Sequence, residues 1–215
     1  MFTNGVSVVT ATWNEIANIA ELVSKTRKVL QDLKHEIIII DDGSTDETFQ
    51  IANRIADVAI TNKRVGQTRS LLKGMHVAKY PVIITIDADL ENDPIHVLEL
   101  LQELNKCDIV VASRTKLPRI SEKITSKTLG KLVGVNDPFS NFRAYKKDVI
   151  SKFSLRGGET FGAEFLVIAK KNKLRIGEIL FEPPPRRKNP RIGGTVKANL
   201  RINWALIKSL IIYLT

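Results

Sequence analysis

Three carboxylates stand at alternate positions directly after an apolar, strand-like run: Asp87, Asp89 and Glu91. Side chains two residues apart in an extended chain share one face, so these charges would crowd one another. Crowded carboxylates repel unless a proton or a cation lies between them. Mg²⁺ and Mn²⁺ prefer hard oxygen ligands and also bind substrate phosphates. The spacing therefore predicts a divalent metal site, whereas Asp93 before Pro94 is typical of a helix cap.

Two further apolar runs also end in polar residues. Residues 6–12 lead into the segment 13–15, and a run of four isoleucines leads into Asp41 and Asp42. Ligands of open parallel sheets bind outside the carboxyl ends of the strands. All three polar groups are therefore expected to line one crevice.

Cations are concentrated in two later segments. Between residues 114 and 131, a single acid, Glu122, stands among Arg114, Lys116, Arg119, Lys123, Lys127 and Lys131. A second group lies in the proline-rich loop 183–194 and comprises Arg186, Arg187, Lys188 and Arg191. Such groups suit an anionic ligand such as a phosphate, and the alternative is a solvated basic face.

The elements that position these residues alternate along the first half of the chain. Strands are predicted at 6–12, 36–42, 58–61, 82–87, 108–113, 140–147 and 174–182. Helices are predicted at 15–33, 46–55, 66–77, 94–104, 159–171 and 195–214. This alternation indicates an α/β fold with a mostly parallel sheet, and residues 114–138 show only weak periodicity.

Length and composition favour one domain over residues 1–215 of the 215-residue chain. We expect a regular α/β half at 1–113, a more irregular, basic part at 114–194 and a terminal helix at 195–215. The net charge of +10 suits an anionic partner. One cysteine, Cys107, excludes an internal disulfide and favours a reducing compartment. No apolar run reaches about 18 residues, so no membrane span is expected, and the N-terminus reads as a strand, not a signal peptide.

Several segments together resemble the family-2 glycosyltransferases of the GT-A fold. They are VSVVTATWNE, IIIIDDGSTDET, IDADLEND, the SR of VVASR, DPFSNFRAYKKDVI and the basic loop closing in IGG. The chain is similar in particular to dolichyl-phosphate mannose synthases and other polyprenyl-phosphate sugar transferases. The resemblance implies a GT-A fold, a nucleotide-sugar donor and a divalent cofactor, Mg²⁺ or Mn²⁺. It also implies that residues 1–113 bind the nucleotide sugar and residues 114–194 the acceptor.

The resemblance also implies roles for individual residues. The metal ligands would be Asp87, Asp89 and Glu91, and the catalytic groups Asp89, Arg114 and Arg187. Donor-binding residues would be Ala11, Thr12, Trp13, Glu15, Asp41, Asp42, Asp87 and Arg191. The acceptor phosphate would be held by Arg114, Ser126, Arg119 and Lys123. Glu122 departs from the family pattern, because it stands where a basic residue is usual.

These implications lead to an expected function. The chain would transfer a hexose with inversion, GDP-mannose being the favoured donor, to dolichyl or polyprenyl phosphate. The alternative is transfer from UDP-glucose or UDP-GlcNAc to a hydroxyl of a lipid-linked or surface glycan, for which Glu164 is the candidate base. A nucleotidyltransferase would need a Gly-rich loop after the first strand, and a nucleic-acid-binding protein would leave the acid clusters unexplained.

The terminal helix predicted at 195–214 has two interpretations. It carries Lys197, Arg201 and Lys208 among apolar residues and Trp204. This composition fits a helix lying on a membrane surface and equally one packed on the core. The expected partners are thus the donor, the lipid phosphate, a membrane surface and a membrane partner subunit, with no nucleic acid. The expected location is cytoplasmic, peripheral on the cytoplasmic face of a membrane.

Overall fold

A computed structural model describes residues 4–156, 158–160, 162–183 and 195–215, with side chains from residue 199 onward in the last range. Its strands are β1 (Val6–Thr12), β2 (His35–Asp41), β3 (Val58–Thr61), β4 (Val82–Thr85), β5 (Ile109–Arg114), β6 (Arg143–Lys146) and β7 (Ile176–Phe181). They form one seven-stranded sheet in the order β3-β2-β1-β4-β6-β5-β7. Strand β6 is antiparallel to both neighbours, and the other pairs are parallel. The predicted α/β class with a mostly parallel sheet is confirmed.

Helices cover both faces of this sheet. They are α1 (Ile19–Val29), α2 (Thr48–Ile55), α3 (Gln67–Val77), α4 (Val97–Leu104), α5 (Ile120–Thr125), α6 (Lys131–Val133), α7 (Ala163–Lys171) and α8 (Thr195–Leu214). Short 3₁₀ turns occur at Pro94–His96 and Lys147–Lys152. Among the described helices, none combines the length and apolar character that crossing a bilayer requires.

The apolar strand runs are explained by burial on both sheet faces. Val8 of β1 packs in the layer that contains α1 and α4, whereas its neighbour Val9 packs in the layer that contains α3 and α7. Strands covered on both sides carry continuous rather than alternating apolar residues. At Gly74 of α3, an added Cβ would lie 2.3 Å from Val9 Cγ1, so the helix approaches β1 too closely for any side chain.

Residues 114–138 are more regular than their sequence pattern predicts. Helix α5 continues through a π turn at Ser126–Gly130 into α6. The apolar side chains of Ile120 and Ile124 are exposed, while the polar side chains of this segment face inward, namely Ser121, Glu122 and Thr125. In an ordinary amphipathic helix the apolar side chains face inward, whereas here the polar ones do. Hydrophobic periodicity therefore does not predict this helix.

The sheet brings the ends of several strands to one edge. In the parallel register, Thr12 of β1 lies beside Asp41 of β2. Strand β6 begins at this edge because it is antiparallel, and its Arg143 lies opposite Thr85 of β4 and Val111 of β5. The segment before β6 therefore enters beside the carboxyl ends of β4 and β5.

Candidate active site

Asp87 follows β4 at this edge and is partly buried. Its Oδ1 accepts a hydrogen bond from Gln67 Nε2 at 2.6 Å, and its Oδ2 accepts one from Asn92 Nδ2 at 3.3 Å. Gln67 begins α3 directly after Gly66, whose φ of 95° permits the turn into the helix. Two neutral amides therefore fix the orientation of this carboxyl group.

The pKa of Asp87 is raised by burial and by the charged side chains around it. Burial, together with the negative charges of Asp89 and Glu91, raises the pKa of Asp87 to about 7, and the positive charge of Arg114 limits the rise. A carboxyl group with this pKa is only partly ionised at neutral pH unless a cation stabilises its charge. The hard oxygen atoms and their mutual repulsion fit a divalent metal ion.

Asp89 and Glu91 occupy a tight turn beyond Asp87. Asp89 is exposed, and its Oδ1 accepts a hydrogen bond from the backbone N–H of Glu91 at 3.0 Å. Leu90 between them has a φ of 62°, a left-handed conformation that reverses the chain. Within the described ranges, no three His, Cys, Asp or Glu side chains converge as a cation site. A cation held by Asp87 and Asp89 would therefore need further oxygen ligands from substrate or water.

A network of two arginines and two acids adjoins the carboxylates. Arg114 Nε donates to Asp137 Oδ2 at 2.6 Å, and Arg114 Nη2 lies 3.5 Å from Glu122 Oε1. The same Glu122 oxygen accepts a hydrogen bond from Arg119 Nη1 at 3.0 Å. Asp137 is fixed in turn, because its backbone N–H donates to Ser113 Oγ at 3.1 Å. Arg114 is thus paired and oriented, and its contact with a phosphate stays a prediction.

Asp41 and Asp42 are both buried and tie loops together. Asp41 Oδ2 accepts a hydrogen bond from the backbone N–H of Ser44 at 3.1 Å. Asp42 accepts hydrogen bonds from the backbone N–H groups of Val65, at 2.8 Å, and Gly66, at 3.0 Å. Both acids therefore shape the crevice wall, and their contact with a nucleoside stays a prediction.

Trp13 lies at the mouth of this part of the crevice and is 37% exposed. The guanidinium of Arg64 lies over its ring, 3.3 Å from the ring centroid. Asp42 is within 3.8 Å of Arg64 Nε, which links the stacked pair to the end of β2. The aromatic surface predicted to meet the donor is consequently covered by a cation in this structure.

Backbone and side-chain hydrogen bonds join the loop after β1 to the loop after β2. Asn14 Oδ1 accepts from the backbone N–H of Thr45 at 2.9 Å, and Glu15 N–H donates to Thr48 Oγ1 at 2.8 Å. Glu15 is buried and accepts a hydrogen bond from Asn18 Nδ2 at 2.7 Å. This junction explains why α1 begins at residue 19, four residues later than predicted.

The remaining predicted residues are distributed unevenly around the site. Ala11 and Thr12 lie on β1 at the crevice edge, Ser126 is partly exposed in the π turn, and Lys123 is exposed on α5. Arg187 and Arg191, with the rest of the proline-rich loop, lie outside the described residues. The cap predicted at Asp93 is confirmed by its hydrogen bond from Ile95 N–H at 3.0 Å.

Sequence reasoning missed Gln67, Asn92 and Arg64. Gln67 and Arg64 contact residues that are distant along the chain, so no local motif marks them. Asn92 lies in the same loop as Asp87, and its proximity in sequence was a signal that could have found it. Asp137 lies in DPFSNFR, a segment that the resemblance includes, so its place near the site could have been found from the sequence. Its ion pair with Arg114 at 2.6 Å shows which side chain it orients.

Comparison with known proteins identifies relatives of this chain. The sequence model described as "Glycosyl transferase family 2" matches residues 7–162. The dolichol-phosphate mannosyltransferase of Pyrococcus furiosus is 29% identical over 224 residues, covering 94% of this chain and 64% of that protein. The undecaprenyl-phosphate 4-deoxy-4-formamido-L-arabinose transferase of Pseudomonas fluorescens is 32% identical over 162 residues, covering 67% of this chain and 48% of that protein. The chain thus spans less than two thirds of the length of these relatives.

Solved structures support the same fold. The glucosyl-3-phosphoglycerate synthase of Mycobacterium tuberculosis, in complex with Mn²⁺, UDP and glucosyl-3-phosphoglycerate, superposes with a TM-score of 0.79. The match covers 97% of this chain and 80% of that chain at 18% identity. At this identity the likeness establishes the GT-A architecture alone, which agrees with the sheet described above.

Proposed function

The chain belongs to glycosyl transferase family 2, and from that premise we propose that it is an inverting, metal-dependent hexosyltransferase acting on a polyprenyl or dolichyl phosphate. The observation that carries the proposal is the meeting of Asp87, Asp89 and Arg114 at one sheet edge. Carboxylates can hold a cation that binds the diphosphate of the donor, and a guanidinium beside them can bind the phosphate of the acceptor. The two relatives described above are named for dolichol phosphate and undecaprenyl phosphate.

The chemistry assigns a limited set of tasks to the chain. Asp87 and Asp89 would hold a Mg²⁺ or Mn²⁺ ion, which supplies charge neutralisation for the departing nucleoside diphosphate. Arg114, fixed by Asp137, would orient the acceptor phosphate. An acceptor oxygen forms the bond to the anomeric carbon while the bond to the diphosphate oxygen breaks, with inversion. Glu91 is proposed as a third ligand that would complete the site on metal binding, since in this structure the three carboxylates do not converge.

No general base is required for this transfer, since a phosphate monoester oxygen is already ionised at neutral pH. The candidate base for a hydroxyl acceptor, Glu164, is fully buried on α7 and accepts a hydrogen bond from the backbone N–H of Arg156. This engagement supports a structural role for Glu164. It therefore favours the phosphate acceptor over the alternative of UDP-sugar transfer to a glycan hydroxyl.

GDP-mannose is the donor we favour, because the relative that matches 94% of the chain is a mannosyltransferase. Trp13, Asp41 and Asp42 would surround the nucleoside, and they stand around one end of the crevice. Arg187 and Arg191 would cover the donor phosphates, a role that cations on a loop can fulfil.

The acceptor is a membrane lipid, and the surface of α8 supports approach to a membrane. One face of α8 packs through Ile202, Ala205 and Leu206. The opposite face exposes an apolar stripe of Leu200, Trp204, Ile207, Ile211 and Leu214. One face of the helix therefore packs on the core, and the opposite face is free to lie on a membrane surface. With the exposed lysines of α5 and its π turn nearby, the stripe suits an anionic lipid surface, on the cytoplasmic side by our proposal.

A transfer assay tests the proposal directly. GDP-mannose, UDP-glucose and UDP-GlcNAc, each labelled in the sugar, are offered with a short polyprenyl phosphate in Mn²⁺ or EDTA. We expect a labelled lipid product from one donor in Mn²⁺ only, and its loss in Asp89→Asn. Asp93→Asn is the matched control, because Asp93 caps a helix in the same segment. Absence of transfer from every donor, in a protein that binds Mn²⁺ and nucleotide, would contradict the polyprenyl-phosphate assignment.

A further inference from the structure

A single carboxylate oxygen bridges the two arginines beside the metal-binding carboxylates. Glu122 Oε1 lies 3.0 Å from Arg119 Nη1 and 3.5 Å from Arg114 Nη2. All three side chains are largely shielded from water, at 5% exposure for Glu122, 16% for Arg119 and 14% for Arg114. Ion pairs with this little exposure are weakly screened, so the contact influences any charge that enters the same space.

The charges around this contact cancel. Arg114 and Arg119 supply two positive charges, and Glu122 and Asp137 supply two negative charges. Lys123, the next residue along α5, is exposed and outside this group. Among the described residues, this group of four side chains therefore offers no net positive charge to a phosphate dianion, although it contains two guanidinium groups with the geometry for oxyanion binding.

The two oxygens of Glu122 have separate tasks. Oε2 accepts a hydrogen bond from the backbone N–H of Arg119 at 3.1 Å, which caps α5. Oε1 faces the two guanidinium groups. Capping needs only an acceptor oxygen, whereas pairing with the arginines draws on the negative charge. A glutamine at this position would keep the cap and lose the charge.

We propose that Glu122 is an internal counter-ion that occupies the arginine pair until the phosphate of the acceptor displaces it. Glu122 thereby sets how tightly a phosphate monoester binds, and it selects against weaker anions that cannot displace it. Arg119 is assigned as the second guanidinium of the acceptor site, beside Arg114. This inference rests on the proposed function, because it concerns the acceptor side of the same crevice.

The test is a binding titration with farnesyl phosphate, using farnesol to measure binding of the tail alone. We expect Glu122→Gln to bind farnesyl phosphate about tenfold more tightly than wild type and farnesol equally. In the double variant Glu122→Gln with Arg119→Gln, the gain should disappear. Glu21→Gln on α1 is the matched control, since it makes the same change in net charge on a surface helix.

Thermal unfolding of the variants separates charge from capping. Glu122→Gln should lose stability because Arg119 loses its buried counter-ion, and Glu122→Ala should be less stable still, because it also loses the cap. In the transfer assay, Glu122→Gln should lower KM for the lipid phosphate and leave KM for the donor unchanged.

Unchanged farnesyl phosphate affinity in Glu122→Gln would overturn the proposal, and weaker affinity would show that Glu122 only holds the arginines in place. Absence of farnesyl phosphate binding in both proteins would also overturn it. Sugar transfer by the wild type, measured in the same preparation, distinguishes these results from a failure of the proposed function. If transfer occurs with equal acceptor KM in both proteins, only the counter-ion role is wrong.

Discussion

The raised pKa of Asp87 predicts a specific pH dependence of stability. Burial and the neighbouring charge of Asp89 raise this pKa from 3.8 to about 7 in the folded protein. Between these two values the folded state binds more protons than the unfolded state, so the free energy of unfolding falls as pH rises. This decrease in the free energy of unfolding ends once the pH exceeds the pKa of Asp87 in the folded protein. Asp87→Asn removes the titrating group and should remove this part of the pH dependence.

The size of the effect follows from linkage. Between about pH 5 and about pH 8, the Asp87 carboxyl costs the metal-free protein about 2–3 kcal/mol of unfolding free energy. For a chain of this length that corresponds to roughly 5–10 °C in melting temperature. Any constant cost of the substitution, such as altered hydrogen bonding to Gln67, cancels because only the change with pH is compared.

Thermal unfolding in EDTA at the two pH values measures this difference. We expect the melting temperature of Asp87→Asn to rise relative to wild type on going from the lower to the higher pH. Asp93→Asn should parallel wild type, since it changes a carboxyl group of the same segment. Mn²⁺ with nucleoside diphosphate should stabilise wild type more at the higher pH, where protons no longer compete, and should not stabilise Asp87→Asn. Parallel pH profiles for wild type and Asp87→Asn would refute the reasoning.

Three further substitutions test other parts of the structure. Asp137→Asn leaves the Arg114 guanidinium without its 2.6 Å ion pair, and we expect about 3 kcal/mol lower stability in urea unfolding. An unchanged midpoint would mean that the remaining contact of Arg114 with Glu122, at 3.5 Å, is sufficient to stabilise its charge. Gly74→Ala places a Cβ 2.3 Å from a β1 side-chain atom, and should lower the unfolding free energy by about 1–3 kcal/mol, an effect that thermal melts would detect. Arg64→Ala uncovers the ring of Trp13 and should lower the free energy of unfolding by about 0.5–1 kcal/mol. The fluorescence emission of Trp13, recorded with the second tryptophan replaced by Phe, should then respond more strongly to added nucleotide than it does with Arg64 present. An identical response in the two proteins would contradict the stacking.

The strand-forming segments were predictable because burial on both faces leaves a strong signal in sequence. Runs such as 36–40 can only be accommodated in a covered sheet, and their polar ends then meet at one edge. The position of Asp87 after such a run was therefore sufficient to place it in a crevice. Helix α5 escaped prediction for the opposite reason, since Ser121 and Glu122 face inward and Ile120 faces outward.

The environment of each site residue depended on contacts that sequence spacing does not encode. Arg64 and Trp13 are separated by most of two βα units and still stack. The sequence presented Glu122 as a lone acid in a basic segment, whereas the fold makes it the partner of two arginines. Exposure of Lys123 followed from the same helix orientation, which periodicity did not reveal.

The sequence by itself determined the α/β class, the crevice at the strand ends and the family, because these depend on local patterns of apolar and charged residues. Only the tertiary structure decided which charges pair. Pairing depends on distances between elements: the antiparallel entry of β6 brings Asp137 to Arg114, and the rotation of α5 turns Glu122 toward the same guanidinium. Electrostatic energy varies with separation and burial, and both are properties of the packed molecule.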